Sequence, residues 1–148
     1  MMVDEALGGI MLVGFDTPLF IYFVERHPTY IAVLHRVFQR MNAGLLDGVT
    51  SVITLAEALV HPKRTRDQQL EGVYKDLLLR GQGLHLLAID PAIADVAADL
   101  RARYNVRTPD ALQLASALVA GCQVFLTNDA DLRRVTELRV LALDELTA

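Results

Sequence analysis

The chain has 148 residues, 53% of them hydrophobic, which is enough for one domain with a well-filled core and slightly rich for a protein that stands alone. Its single cysteine, Cys122, excludes an internal disulfide and a cysteine-rich zinc site and suits a reducing, cytoplasmic setting. The formal net charge of −4 offers no electrostatic attraction for nucleic acid, unless several of the acids are gathered around bound cations.

No signal peptide is expected, because Asp4 and Glu5 stand where a basic segment would be. Residues 10–148 read as a single domain. From Ala6 to Val24 the chain is almost wholly apolar. Asp16 and Pro18 interrupt the run, which fits a buried strand and a helix better than a membrane span.

The first strand is read over Ile10–Phe15, apolar throughout as in a strand covered on both faces. Asp16-Thr17-Pro18 opens a helix that stops before Pro28, and a second helix follows over Thr29–Asn42, closed by Gly44. Val49–Ile53 reads as the second strand, followed by a helix from about Thr54 that Pro62 interrupts. The basic stretch His61–Arg66 (HPKRTR) reads either as a solvated loop or as a guide for phosphates. A helix over Asp67–Arg80 leads to the strand Leu84–Ile89. Further helices start at Asp90-Pro91 and at Thr108-Pro109-Asp110, the latter ending near Gly121. The strand Gln123–Thr127, a short helix from Ala130 and a last strand over Arg139–Leu143 complete the chain. Strands alternating with helices imply a three-layer α/β/α sandwich around a five-stranded parallel sheet.

In such a sheet ligands bind at the carboxyl ends of the strands. Asp16 directly follows the first strand, Glu57 lies in the first turn of the helix after the second, and Asp129 lies just past the fourth. Asp110 opens the helix that runs antiparallel to the fourth strand, so it arrives at the same edge. Each acid also has a local explanation. Asp16 can cap a helix, Asp110 can complement a helix dipole, and Asp129 can serve a turn. Glu57 resists one. Its neighbours Leu55, Ala56, Ala58, Leu59 and Val60 place it in an apolar setting, where a carboxylate needs a partner or a cation. Four clustered carboxylates suit a hard cation such as Mg2+ or Mn2+. His27, His35, His61 and His85 have no metal-ligand spacing, and neither a Walker loop nor a dinucleotide fingerprint is present. Arg101, Arg103, Arg107, Arg133 and Arg134 are further candidates for phosphate contact, and Cys122 is expected to be buried and inert.

Taken in order, Asp16-Thr17 followed by LFIYFVERHP, Glu57 in TLAEAL, Asp110 in TPDALQLASAL and Asp129 in FLTNDADL resemble the PIN-domain nucleases, and among them the VapC-type toxin ribonucleases. The resemblance spans roughly Ile10 to Leu143. It implies a Mg2+ or Mn2+ site formed by Asp16, Glu57, Asp110 and Asp129, and cleavage of single-stranded RNA by metal-activated water. It also implies a homodimer and a small antitoxin partner. Thr17 belongs to the matched Asp-Thr pair, Thr127 matches a hydroxyl that supports the acids, with Asn128 next to it, and Asp131 matches a further acid. Pro18 departs from the family's small polar residue, Leu132 from a frequent aromatic, and residues 1–9 are an N-terminal extension before the family's usual start, with Met11 as an alternative initiator. Two other readings compete. One is a PIN-like scaffold that binds without cutting. The other, a phosphoryl-accepting receiver domain, is disfavoured because Phe15 precedes Asp16 and acids rather than a lysine follow the last strand.

Overall fold

The computed structural model describes residues 1–148. In chain order the elements are α1 (Val3–Ala6), β1 (Leu12–Phe15), α2 (Thr17–Val24), α3 (Ile31–Asn42), β2 (Asp47–Ser51), α4 (Val52–Ala58) and α5 (Val60–Thr65). Then come α6 (Gln68–Arg80), β3 (Leu84–Leu87), α7 (Pro91–Tyr104), α8 (Thr108–Ala120), β4 (Val124–Thr127) and β5 (Arg139–Ala142). Two short 3-10 helices cover Ala130–Arg134 and Leu143–Glu145. No helix is long and apolar enough to cross a membrane; the apolar run from Ala6 to Val24 is divided among the end of α1, β1 and α2.

All five strands are parallel, in the order β3-β2-β1-β4-β5, with helices on both faces, as the sequence pattern implies. The chain steps outward from β1 through β2 to β3 and then crosses back to lay β4 against the other side of β1. Strand order therefore reverses between β1 and β4, and the loops leaving these strands diverge there to open a crevice. Alternate residues of each strand enter two separate cores. Val13, Phe15, Val124 and Leu126 pack with helices α1–α4 and α6. Val49, Phe125 and Val140 pack with α7 and α8. Burial on both faces explains why β1, and β4 up to its terminal Thr127, are apolar rather than alternating. In the first core, Phe15, Phe20 and Phe38 are mutually packed at ring separations of 5.4–6.0 Å.

The helices begin and end where local chemistry directs. Asp16 caps α2 by accepting from Thr17 N–H, and Asp90 caps α7 by accepting from Ile93 N–H. Gly121, at φ 83°, closes α8 in the left-handed conformation that only glycine adopts without strain. Residues 1–9 are joined to the rest. Val3, Ala6 and Leu7 lie in the first core, and Val3 N–H donates to Thr147 O at 2.9 Å. Cys122 is buried, and burial pushes its thiol up to about 12, so it is not a nucleophile at neutral pH.

Two local expectations are corrected. The second strand occupies Asp47–Ser51, not Val49–Ile53. The Ser51 hydroxyl accepts from Ile53 N–H and so starts α4 at Val52, which draws Val52 and Ile53 into the helix. His61–Arg66 is no loop; most of it forms α5, where Pro62 sits in the first turn and needs no N–H, and Arg66 at φ 55° ends the turn.

Candidate active site

Asp16, Thr17, Pro18, Ile21, Glu57, Arg107, Asp110, Asn128 and Asp129 line one cavity of about 540 Å3. It lies at the carboxyl ends of β1 and β4, where strand order reverses. Four carboxylates face a single cationic side chain, Arg107.

Asp16 follows β1 and is only 7% exposed. Its Oδ1 accepts from Thr17 N–H at 2.9 Å, and its Oδ2 accepts from the Thr127 hydroxyl at 2.8 Å. Burial raises its pKa to about 6 against the pull of those two donors, and the nearby charges of Asp110 and Glu57 add to the rise. A carboxyl that two donors cannot keep at its ordinary pKa is short of positive charge.

Glu57 departs from expectation. It is the sixth residue of α4 rather than a first-turn residue, and it is solvent-exposed rather than buried. Thr54 and Ala58, four apart, form the buried face of that helix. Glu57 is held instead by the Thr17 hydroxyl, which donates to its Oε1 at 2.7 Å. Asp110, in the first turn of α8, accepts from Arg107 Nε at 3.2 Å. Asp129 is exposed; its N–H donates to Thr127 Oγ1 at 3.1 Å, and its own Oδ1 caps the following turn through Asp131 N–H. Thus Thr127 bridges Asp16 and the Asp129 backbone. Asn128 lines the cavity and donates to the Tyr22 hydroxyl at 2.9 Å. Asp131 is not among the lining residues.

The local roles weighed for these acids are all present: cap, dipole partner and turn. They coexist with the convergence. Oxygen donors in this number suit a hard cation in kind. As placed, though, no three acidic, histidine or cysteine side chains are grouped closely enough to hold one ion. All four already accept hydrogen bonds: Asp16 from Thr17 N–H and Thr127, Glu57 from Thr17, Asp110 from Arg107 and Asp129 from Asp131 N–H.

Among the other basic candidates, Lys63 pairs with Glu71, Arg103 with Asp99 and Arg133 with Glu145, and Arg101 donates to Val106 O. None of them lines the cavity. Sequence reasoning missed the polar layer beneath the acids, formed by Ser51, Thr54 and Gln113, all at most 3% exposed. The available signal was Gln113 itself, a lone amide within the apolar run ALQLASAL and one turn after Asp110.

A family model described as the PIN domain matches residues 14–138. No curated protein matches the chain in sequence. Among solved structures, it is similar to DNA-bound VapBC from Salmonella typhimurium, with TM-score 0.70 and 20% identity over 90% of this chain and 98% of that one. VapBC2 from Rickettsia felis, bound to a DNA fragment from its promoter, gives 0.69 and 15% over 89% and 98%. A toxin–antitoxin complex from Klebsiella pneumoniae gives 0.65 and 22% over 90% and 97%. At these identities the likeness is one of fold.

Proposed function

The chain belongs to the PIN-domain family, and from that premise we propose that it is a cytoplasmic endoribonuclease, dependent on Mg2+ or Mn2+, that cleaves single-stranded RNA as the toxin of a toxin–antitoxin pair. One observation carries this reading: Asp16, Glu57, Asp110 and Asp129 converge from four segments on one cavity, with a single arginine among them. These four acids would hold the cation. When bound, it supplies neutralisation of the phosphodiester and of the leaving oxygen, and it lowers the pKa of water.

The chain's own groups do the rest. Thr17 N–H and the Thr127 hydroxyl fix both oxygens of Asp16. Glu57 and Asp129, the solvent-exposed acids, would accept the proton that an attacking water gives up. An apolar groove of about 400 Å3, lined by Phe23, Val24, Ile31, Val73 and Leu77 together with Arg26 and His35, supports an antitoxin partner, since it would accept an apolar segment. A homodimer is part of the same reading and accords with the apolar composition.

The test is cleavage of a single-stranded RNA by the purified chain. Activity should require Mg2+ or Mn2+ and vanish in Asp110→Asn. Cleavage that persists in EDTA or in that variant rejects the reading. The ungrouped acids favour a second reading, a scaffold that binds without cutting. It is preferred if Mn2+ leaves the unfolding temperature unchanged.

Arg107 carries a separate expectation. Only its Nε is engaged, and its side chain is 79% exposed, so its remaining donors are free for a substrate phosphate. Arg107→Gln should weaken binding of an uncleavable RNA several-fold and flatten the dependence of log K on log salt by about 1. An unchanged slope removes Arg107 from the RNA path.

A further inference from the structure

We propose that Gln113 is a positioning residue of this cavity: its buried carboxamide directs the single proton of the Thr17 hydroxyl onto Glu57, and so orders that carboxylate before any cation arrives. The consequence for cation affinity rests on the metal-site reading above, whereas the orientation of the hydroxyl does not.

The Ser51 hydroxyl accepts from Ile53 N–H and donates to Gln113 Oε1 at 2.7 Å. The amide thus has its oxygen toward Ser51 and its nitrogen toward the threonines. Nε2 then spends both protons, one on Thr17 Oγ1 at 3.0 Å and one on Thr54 Oγ1 at 2.7 Å. The Thr50 hydroxyl donates to Phe15 O at 3.0 Å, so in its 2.6 Å contact with Thr54 it is the acceptor. The Thr54 proton is therefore committed to Thr50. Thr17 has one proton left to give, and it goes to Glu57 Oε1 at 2.7 Å, which as a carboxylate cannot donate, rather than to Thr54 Oγ1 at 3.1 Å, which already accepts from Gln113. The 3.1 Å separation between the Thr17 and Thr54 hydroxyls carries no proton in this arrangement.

One path of donors thus runs from Ser51 through Gln113 to Thr17 and Glu57, and a branch runs from Gln113 through Thr54 and Thr50 to Phe15 O. The members come from β2, α8, α2 and α4, and Ser51, Thr17, Thr54 and Gln113 are all buried. Glu57 is exposed and has three rotatable bonds, so without a tether it samples many rotamers. Loss of the Gln113 donors lets the Thr17 proton turn to Thr54 instead. Hydrogen-bond partners of metal-holding groups typically contribute 10–100-fold in metal affinity or activity.

The experiment uses the full chain and the variants Gln113→Met, Thr17→Val, the double variant, and Ser116→Ala. Ser116 is a buried polar residue of α8 that bonds only to Leu112 O, and it controls for general damage to the helix. Thermal unfolding first establishes that each variant folds. In the metal-free protein, NMR should show the Thr17 hydroxyl proton protected from solvent exchange, and that protection should be lost in Gln113→Met and kept in Ser116→Ala. Calorimetric titration with Mn2+ should give affinities about 10–100-fold weaker in Gln113→Met and in Thr17→Val. The double variant should be no weaker than Thr17→Val, because both changes act on one path. A Thr17 hydroxyl equally protected in folded Gln113→Met overturns the proposal, as do fully additive losses in the double variant. If the native chain binds no Mn2+ while the hydroxyl behaves as described, the positioning role stands and the cation reading fails.

Discussion

Replacing Asp16 with Asn should stop RNA cleavage and, at neutral pH, make the protein harder to unfold. The two effects share one cause. Asp16 is a buried carboxyl whose pKa is raised to about 6 from an ordinary 3.8. Below 3.8 it is protonated in the folded and unfolded chains alike and costs nothing. Between 3.8 and about 6 the folded chain retains a proton that the unfolded chain has released, so stability falls as the pH rises. Above about 6 the cost is constant, on the order of 2–3 kcal/mol. Asn has the same shape and no charge. It forfeits part of the gain, because its amide nitrogen cannot accept from the Thr127 hydroxyl as Oδ2 does. The variant should therefore unfold with about 1–2 kcal/mol more difficulty at pH 8, with the difference closing below pH 4.

Cleavage, in contrast, should fall by about 10³-fold, the order lost when one electrostatic contact to a transition state is removed. Mn2+ at 100 times its Kd should raise the stability of the native chain by about 2.7 kcal/mol and that of the variant far less. Denaturant unfolding across pH, with and without Mn2+, reads all of this. A variant less stable than the native chain at pH 8 would show that Asp16 is held for the fold and not for the site.

The placement of these acids was legible because topology, not local pattern, decides it. Once five parallel strands are recognised, residues that follow β1 and β4, and a residue that opens α8, must meet at one edge. The burial of each acid was not legible. Glu57 has the most apolar neighbours in sequence, yet it faces solvent, while Asp16 at the strand end is enclosed. The difference is helical phase: the Ser51 hydroxyl starts α4 at Val52, and that start turns Thr54 and Ala58 inward and Glu57 out. The polar layer was hidden for a different reason. Gln113 meets Ser51, Thr17 and Thr54 across 62, 96 and 59 residues of chain, and no local rule connects such distant positions. The arginines follow the same logic. Arg101, Arg103 and Arg133 are engaged by nearby carbonyls and acids, which leaves Arg107 at the cavity because Asp110 is three residues on.

Gly14→Ala should damage catalysis more than its size suggests. Gly14 lies in β1, two residues before Asp16, and pairs with Val49 on one side and Phe125 on the other. A Cβ built there would lie 2.7 Å from the Ala117 Cβ and 2.9 Å from Phe125 Cδ1. Ala117 is on α8 and is 1% exposed, so the methyl has no solvent to move into. The helix itself must give way, and α8 carries both Asp110 and Gln113. Overpacking of this kind costs about 1–3 kcal/mol. A displacement approaching 1 Å at a site that positions reacting groups costs up to about 10²-fold in rate. The two losses can be separated. Adding Ala117→Gly removes the clash with the helix but costs about 1 kcal/mol of helix propensity. The double variant should therefore recover RNA cleavage while remaining easier to unfold than the native chain. If Gly14→Ala cleaves at the native rate well below its unfolding temperature, the spacing between β1 and α8 does not set the position of Asp110.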